Sequence, residues 1–208
     1  MINLVSLKLK NLLDLFISFF LIVFSSPILI ICFLIILIQD GYNPIFVQKR
    51  IGFNGKTFKM YKFRTMTPNS EHSGSGYYCF EGDTRITKIG KYIRKYSIDE
   101  LPQLFNVLKG DMSLVGPRPA ICDELEKENI KEINIQKINL RTTVKPGISG
   151  YAQVYSRNSI DWNTKLEMDC HYLSFPPYKR IFIDLKIICL TFLEIIISKG
   201  VYDTKRAR

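Results

Sequence analysis

The sequence is poor in the residues that build metal sites and disulfide frameworks. It contains two histidines, His72 and His171, and five scattered cysteines with no Cys-x-x-Cys pair. An odd number of cysteines without framework spacing argues against a disulfide scaffold or a zinc site, and it favours a reducing compartment. Cys170 and His171 are neighbours in sequence, which is poor spacing for two ligands of one metal, so we interpret both as structural.

Acidic residues are also scarce, and one region has none. The chain carries 29 Lys and Arg against 19 Asp and Glu, a formal net charge of +10, and no acidic residue lies between Gly41 and Ser70. A basic chain with 47% hydrophobic residues suits an anionic membrane surface, phosphorylated substrates or nucleic acid. The length predicts one domain with room for a membrane element.

One long apolar segment lies in the N-terminal region. No charged residue occurs from Leu15 to Ile38, and Asp14 and Asp40 bracket the run. These roughly 24 residues would reach about 36 Å as one helix, which is enough for a hydrocarbon core of about 30 Å. Taken alone, the segment predicts a transmembrane helix.

Pro27 lies at the middle of this segment and changes the prediction. Its ring clashes with the carbonyl of Val23, and the hydroxyls of Ser25 and Ser26 are suited to bond the freed carbonyls. Each half would reach roughly 18 Å, too short to cross alone. A kinked span and a re-entrant hairpin both remain. Basic residues flank both ends, which favours the hairpin because such flanks mark the cytoplasmic side. The length of the apolar run disfavours a signal peptide.

The basic region after this segment predicts a β-hairpin. Asn54-Gly55 separates two candidate strands, Ile45–Arg50 and Thr57–Arg64. This dipeptide favours the tight turn of a β-hairpin. Aromatic residues alternate with the cations, which in a soluble protein would suggest single-stranded nucleic acid binding. Beside an apolar hairpin, contact with anionic lipid headgroups is the simpler account. Some of these cations would meet substrate phosphates instead.

The remaining segments predict further local structure. Pro68 to Asp83 reads as a surface loop, Ile86 to Tyr96 as a short amphipathic helix, and Cys122 to Leu140 as a charged helix. Ile181 to Ser198 is apolar apart from a stripe of polar residues at helical spacing, which suits a helix in the membrane interface or packed under the domain. The stripe consists of Asp184, Thr191, Glu194 and Ser198.

The stretch from Lys95 to Pro119 carries the strongest signal for chemistry. Asp99 and Glu100 are adjacent at its head, Gly110 is suited to end a helix, and a Gly-Pro-Arg-Pro turn places Arg118 near its end. Ser97 to Glu100 also fits a helix-capping box, which would be a purely structural role.

Pro102 complicates that role. If Ser97 were the cap, Pro102 would fall inside the helix, whereas a cap at Asp99 would place Pro102 in the first turn.

Blocks of residues throughout the chain resemble the bacterial sugar transferases, the monotopic phosphoglycosyl transferases. The blocks are Gln48-Lys49-Arg50, Tyr61-Lys62-Phe63-Arg64-Thr65-Met66, Ser97-Ile98-Asp99-Glu100-Leu101-Pro102-Gln103-Leu104, Asn106-Val107-Leu108-Lys109-Gly110-Asp111-Met112-Ser113, Val115-Gly116-Pro117-Arg118-Pro119, Lys145-Pro146-Gly147-Ile148-Ser149-Gly150 and Ala152-Gln153-Val154. A matching block of roughly twenty residues is a strong signal.

The resemblance implies a fold and a domain arrangement. The fold would be α+β and mostly helical, with a short β-hairpin and interfacial amphipathic helices. Residues 1–40 would form a re-entrant membrane helix broken at Ser26-Pro27, residues 41–200 a small cytosolic catalytic domain, and residues 201–208 a basic tail. The protein would lie on the cytoplasmic face of the bacterial inner membrane, with both termini cytoplasmic.

The resemblance also implies a reaction and its residues. A sugar-phosphate would pass from a UDP-sugar to a polyprenol phosphate, with release of UMP. Asp99 would be the nucleophile, and Glu100, with Asp99, would bind Mg²⁺, because an adjacent pair offers one carboxylate for attack and one for the metal. The residues expected to contact substrate or its phosphates are Arg94, Arg118, Pro119, Lys62, Lys145, Arg157 and Asp169.

Two other classes of function remain as alternatives. A membrane-anchored basic module that binds anionic lipid or nucleic acid would explain the charge of +10, and a structural membrane protein would need no Mg²⁺. Neither explains the pair Asp99-Glu100 or the turn at Arg118. We therefore expect UDP-sugar, polyprenol phosphate and membrane lipid as partners and no nucleic acid, with homodimer formation and the identity of the sugar left open.

Overall fold

The computed structural model of the chain describes residues 2–70, 82–122, 132–155 and 162–197. Helices and short strands alternate along these residues, so the α+β and mostly helical prediction is confirmed. The elements are α1 (Ile2–Asp40), β1 (Ile45–Ile51), β2 (Thr57–Phe63), α2 (Lys88–Lys95), α3 (Gln103–Lys109), β3 (Ser113–Val115), α4 (Glu132–Arg141), β4 (Gly147–Ser149), α5 (Tyr151–Tyr155), α6 (Trp162–Ser174) and α7 (Pro177–Ile197).

Helix α1 continues through Pro27. The sequence predicts a break at Ser26-Pro27, but in the structure the helix does not end there. The reason is local: Ser26 Oγ donates to the Val23 carbonyl at 2.8 Å, the group that Pro27 leaves without an N–H partner. Ser25 Oγ donates to the Leu21 carbonyl at 2.6 Å. The predicted bonding of the freed carbonyl by a serine hydroxyl is therefore confirmed for Ser26 and Val23.

One stripe of α1 packs against the rest of the protein along both halves of the helix. Its buried and half-buried residues recur every three or four positions, as expected for one helical face; they are Ser6, Asp14, Ile17, Ser18, Leu21, Ile22, Leu29, Cys32 and Ile36. The opposite side is apolar and open, with Phe24 78% and Ile38 79% exposed. The helix is long and apolar enough to cross a membrane, and its re-entrant course stays a prediction.

The predicted β-hairpin is present. β1 and β2 pair antiparallel, with Phe46 opposite Lys62 and Lys49 opposite Lys59. Asn54 and Gly55 adopt φ values of 54° and 73°, the left-handed conformation that a tight hairpin turn requires. Side chains alternate across the ribbon, so Lys59 is exposed while Met60 is buried. Lys62 has the same parity as Met60 and therefore lies on the inner face.

A second, two-stranded sheet was not predicted. β3 and β4 are three residues each and pair in parallel. Gly116, Gly147 and Gly150 let the two chain segments approach closely, because a Cβ at any of them would collide with the facing backbone. The first strand of this sheet, β3, directly precedes the turn that carries Arg118.

The polar stripe of α7 faces the protein, and its apolar face is open. Asp184 is buried; Lys10 Nζ lies 2.6 Å from its Oδ2, and the Tyr172 hydroxyl donates to its Oδ1 at 2.7 Å. Thr191 and Ser149 share a hydrogen bond of 2.6 Å. The stripe therefore packs under the domain, and contact of the open apolar face with the membrane interface stays a prediction. Its fourth residue, at position 198, lies outside the described residues.

Other predictions fall partly outside these residues. The amphipathic helix is confirmed as α2, with Gly90 and Ile93 on its buried side. Most of the predicted surface loop, residues 71–81, and the tail at 201–208 lie outside the described residues. Of the charged helix predicted from Cys122 to Leu140, only the part in α4 is described. How residues 1–40 and 41–200 divide into domains stays a prediction.

Candidate active site

The acidic pair lies on a short turn before α3. Ser97 adopts a left-handed conformation (φ 54°) and makes no side-chain capping bond, and Ile98–Glu100 form one 3₁₀ turn. α3 starts only at Gln103, with Pro102 just before it, where a missing N–H costs nothing. The capping box does not form, so Asp99 and Glu100 are not used for capping. Gly110 ends α3 at φ 85°, as predicted.

Two separate elements, β2 and the turn after β3, bring positive charge to this pair. Lys62 extends from β2, and its Nζ lies 2.8 Å from Glu100 Oε1 and 4.0 Å from Asp99 Oδ2. Arg118, on the turn after β3, donates to the same Glu100 oxygen from Nη1 at 3.3 Å and Nη2 at 3.4 Å. Asp99 is buried. The site is a carboxylate pair enclosed by cations, as expected for binding an anionic group.

The two carboxylates differ in their electrostatics. Burial raises the pKa of Asp99, and the charge of Lys62 opposes this rise. Burial also acts to raise the pKa of Glu100, but Lys62 and Arg118 outweigh it and lower that pKa to about 2. Burial lowers the pKa of Lys62 although Glu100 acts to raise it. Glu100 is therefore firmly ionised, and Asp99 is the more basic of the pair.

The guanidinium of Arg94, near this pair, has hydrogen-bond donors without a strong partner among the described residues. It comes from the last turn of α2, and its charge acts to lower the pKa of Asp99. Its one hydrogen bond in the described structure is long, 3.4 Å from Nη1 to Thr65 Oγ1. Nε is buried and has no hydrogen-bond partner among the described residues. Because a buried guanidinium N–H is costly to leave unbonded, Arg94 is suited to receive a ligand oxygen.

The remaining residues predicted to contact substrate lie away from the acidic pair or outside the described residues. The amino group of Lys145 lies beside Gly110, 3.7 Å from where a Cβ would stand, at the far end of α3 from the acidic pair. Asp169 is buried, and its Oδ2 lies 2.8 Å from Arg141 Nε; its contact with substrate stays a prediction. The Pro119 carbonyl accepts a bond from a buried arginine. Arg157 lies outside the described residues.

One residue that was not among the predicted site residues links two elements of the site. Asn106 is fully buried; it accepts from the Tyr61 N–H at 3.0 Å and donates to the Lys59 carbonyl at 2.7 Å. These bonds fasten α3 to the strand that carries Lys62. A lone asparagine within an apolar helical run was the available signal, since buried polar side chains need partners.

The donor set fits magnesium better than zinc. Among the described residues no group of three or more His, Cys, Asp or Glu side chains lies together. Asp99 and Glu100 supply two carboxylates, and Mg²⁺ is commonly bound by one or two carboxylates with substrate phosphates and water. Mg²⁺ itself stays a prediction.

Comparison with known proteins identifies the family. A model described as bacterial sugar transferase matches residues 5–198. The chain belongs to the bacterial sugar transferase family. It is 43% identical over 196 residues to a Bacillus subtilis protein named as an uncharacterized sugar transferase, EpsL, and the match covers 94% of this chain and 91% of that one.

Other members of the bacterial sugar transferase family carry more specific names. The chain is 38% identical over 203 residues to the UDP-glucose:undecaprenyl-phosphate glucose-1-phosphate transferase of Klebsiella pneumoniae, covering 97% of this chain and 43% of that one. It is 39% identical over 181 residues to the UDP-N-acetylgalactosamine-undecaprenyl-phosphate N-acetylgalactosaminephosphotransferase of Aeromonas hydrophila, covering 84% and 40%. The chain spans less than half the length of these two relatives.

Proposed function

We propose that this protein is a phosphoglycosyl transferase that moves a sugar-1-phosphate from a UDP-sugar to undecaprenyl phosphate, an early membrane step of polysaccharide assembly. The relatives named for this reaction support the reaction class. The observation that carries the proposal is the buried carboxylate of Asp99, set beside Glu100 and faced by Lys62, Arg94 and Arg118. A basic carboxylate among cations suits attack on a phosphorus that already bears negative charge.

In the first proposed step, a carboxylate oxygen of Asp99 attacks the phosphorus that bears the sugar. A bond forms between that oxygen and the phosphorus, and the bond from the phosphorus to the bridging oxygen of the diphosphate breaks. The electron pair leaves with UMP. Arg94 and Arg118 bind the phosphate oxygens, and Lys62 offsets the added negative charge.

In the second proposed step, an oxygen of undecaprenyl phosphate attacks the same phosphorus. The bond to Asp99 breaks, its carboxylate is restored, and undecaprenyl diphosphate-sugar is the product. No proton needs to be removed, because the attacking group is already an anion. Splitting one displacement into two lets the donor and acceptor use the same site in turn.

Asp99 and Glu100 would bind the Mg²⁺ that we propose as cofactor, together with diphosphate oxygens of the donor. When bound, the ion would neutralise part of the diphosphate charge and polarise the phosphoryl group. Glu100 suits this role because its low pKa keeps it ionised.

The membrane arrangement that we propose keeps both ends of α1 on the cytoplasmic face. Both halves of α1 pack against one domain, and the chain returns to that domain after Asp40. A re-entrant course places the site at the height of the lipid phosphate. The test places a cleavable tag at each terminus of the protein and treats intact inverted membrane vesicles, whose cytoplasmic face is outside, with protease. We expect release of both tags. Release of only one tag would contradict it.

The experiment for the reaction measures UMP release by purified protein in detergent. A panel of UDP-sugars is supplied with undecaprenyl phosphate and Mg²⁺. We expect repeated turnover only when all three are present, and at most one UMP per protein molecule when undecaprenyl phosphate is left out. Asp99→Asn should abolish turnover and leave the melting temperature nearly unchanged. With donor and Mg²⁺ but no undecaprenyl phosphate, wild-type protein should gain the mass of a sugar-phosphate at Asp99. Normal turnover by Asp99→Asn would contradict the mechanism.

A further inference from the structure

Arg118 depends on its main chain for its position. Its side chain is 43% exposed, and a long, half-exposed arginine keeps many rotamers open. Pro117 and Pro119 stand on either side of it. Prolines fix their own φ near −65° and have no N–H, so this turn depends on its carbonyl oxygens for bonds to the rest of the protein.

Three successive carbonyls of this turn, those of residues 118, 119 and 120, each accept a hydrogen bond. The donors are, in order, Arg141 Nη2 at 2.7 Å, Arg50 Nη1 at 2.9 Å and the Ile51 N–H at 2.9 Å. Two of the three donors are buried guanidinium groups. Hydrogen bonds from a charged donor are stronger than those between neutral groups. The two guanidinium groups therefore hold the turn through its main-chain carbonyls.

Other residues hold each guanidinium in place. Arg50 donates from Nε at 2.9 Å and from Nη2 at 2.7 Å to the same oxygen of Gln48. Arg141 pairs with Asp169 at 2.8 Å, and its guanidinium lies over the ring of Trp162 at 4.9 Å. A guanidinium that is ion-paired with a buried carboxylate and stacked on a ring has little freedom.

We infer that Arg50 and Arg141 are positioning residues, which hold the main chain of the turn so that the guanidinium of Arg118 meets Glu100. In this inference Asp169 acts through Arg141 and does not contact substrate phosphate. The inference rests on the proposed transferase function. Arg50 and Arg141 donate to main-chain oxygens of the turn, whereas Arg118 contacts Glu100 itself.

The test is a double-mutant cycle with Arg141→Lys and Arg118→Gln. Lysine keeps the charge but cannot pair with Asp169 and also reach the Arg118 carbonyl in the same planar geometry. Arg141→Lys alone should lower kcat/KM about 30-fold, whereas in the Arg118→Gln background it should change kcat/KM less than about 3-fold. A labelled sugar donor makes losses of about 10⁴-fold measurable.

Two further variants separate positioning from stability. Asp169→Asn is nearly isosteric and should follow the same pattern, so the test does not depend on the folding of Arg141→Lys. The matched control is Lys137→Met, which removes an exposed ion pair with Glu167 at 3.2 Å between the same two helices. It should change kcat/KM less than about 2-fold in either background. Melting temperatures of all variants are recorded.

A merely structural role predicts a different result. Arg141→Lys and Asp169→Asn would then lower the melting temperature and reduce kcat/KM by the same factor with or without Arg118. That outcome would overturn the inference and leave the proposed function intact. If wild-type protein releases no UMP under any tested condition, the proposed function itself fails.

Discussion

The ion pair between Lys10 and Asp184 should be essential for docking α1 onto the domain. Lys10 Nζ lies 2.6 Å from Asp184 Oδ2 and also donates to the Val115 carbonyl at 3.0 Å. Lys10→Met leaves Asp184 buried without its cation. Breaking a buried pair from one side costs about 3–5 kcal/mol, because the remaining charge has no partner.

Thermal unfolding in detergent measures this cost. For a protein of this size each kcal/mol shifts the melting temperature by roughly 2–4 °C, so we expect a loss of about 10 °C. Lys8→Met is the matched control, because Lys8 is exposed on the same helix; it should change the melting temperature by less than about 2 °C. Equal melting temperatures for the two variants would refute the reasoning.

A second substitution should reverse most of the loss. Asp184→Asn removes the unpaired charge and keeps an oxygen to accept from the Tyr172 hydroxyl, which donates at 2.7 Å in the wild type. The double variant Lys10→Met/Asp184→Asn should recover more than half of the lost stability, about 2 kcal/mol. A double variant no more stable than Lys10→Met would show that the lysine acts through packing instead.

The pH dependence gives an independent check of the same pair. Burial raises the pKa of Asp184, and Lys10 opposes this rise, so Lys10→Met raises that pKa further. A carboxyl with a raised folded-state pKa destabilises the protein above its unfolded pKa, and the penalty shrinks as pH falls through the folded value. The difference in melting temperature between Lys10→Met and wild type should therefore narrow from neutral to mildly acidic pH.

Three further predictions concern the site and the membrane helix. Burial raises the pKa of Asp99 and Lys62 opposes it, so Lys62→Met should move the acidic limb of the kcat/KM profile to higher pH; an unmoved limb would contradict the assignment of Asp99. Gly147→Ala should prevent folding or cost more than about 3 kcal/mol, because its Cβ collides with the backbone of Gly116; circular dichroism and melting temperature measure this, and a wild-type melting temperature would contradict it. Pro27→Ala should leave folding intact, since the helix already continues through the proline, and it should raise stability by up to about 3 kcal/mol; a less stable variant would show that the proline is needed.

Local patterns in the sequence were sufficient for most of the individual elements. Asn54-Gly55 predicts the hairpin because both residues tolerate positive φ. Gly110 predicts the end of α3 for the same reason. The positions of Ser25 and Ser26 before Pro27 predict hydroxyl bonds to carbonyls of the preceding turn, because such bonds form within one helical turn. These features depend on neighbours in the chain, so the sequence alone determined them.

The tertiary structure decided which of the predicted residues meet. Lys62 and Arg118 reach Glu100 because a β-ribbon and a glycine-dependent parallel sheet place them there, at separations of 38 and 18 residues. The sequence did not distinguish Arg118 from Lys145, since both are cations beside glycine and proline, yet the amino group of Lys145 lies beside Gly110. It also did not show that Asp169 is already paired with Arg141.

The orientation of α7 shows most clearly which features the sequence determines and which only the tertiary structure decides. Its polar stripe is visible in the sequence as a spacing, and that spacing is equally compatible with a stripe that faces water and one that faces protein. Asp184 points inward only because Lys10 and Tyr172 arrive from distant parts of the chain to bond it. A buried carboxylate requires partners, and only the folded chain determines whether those partners are present.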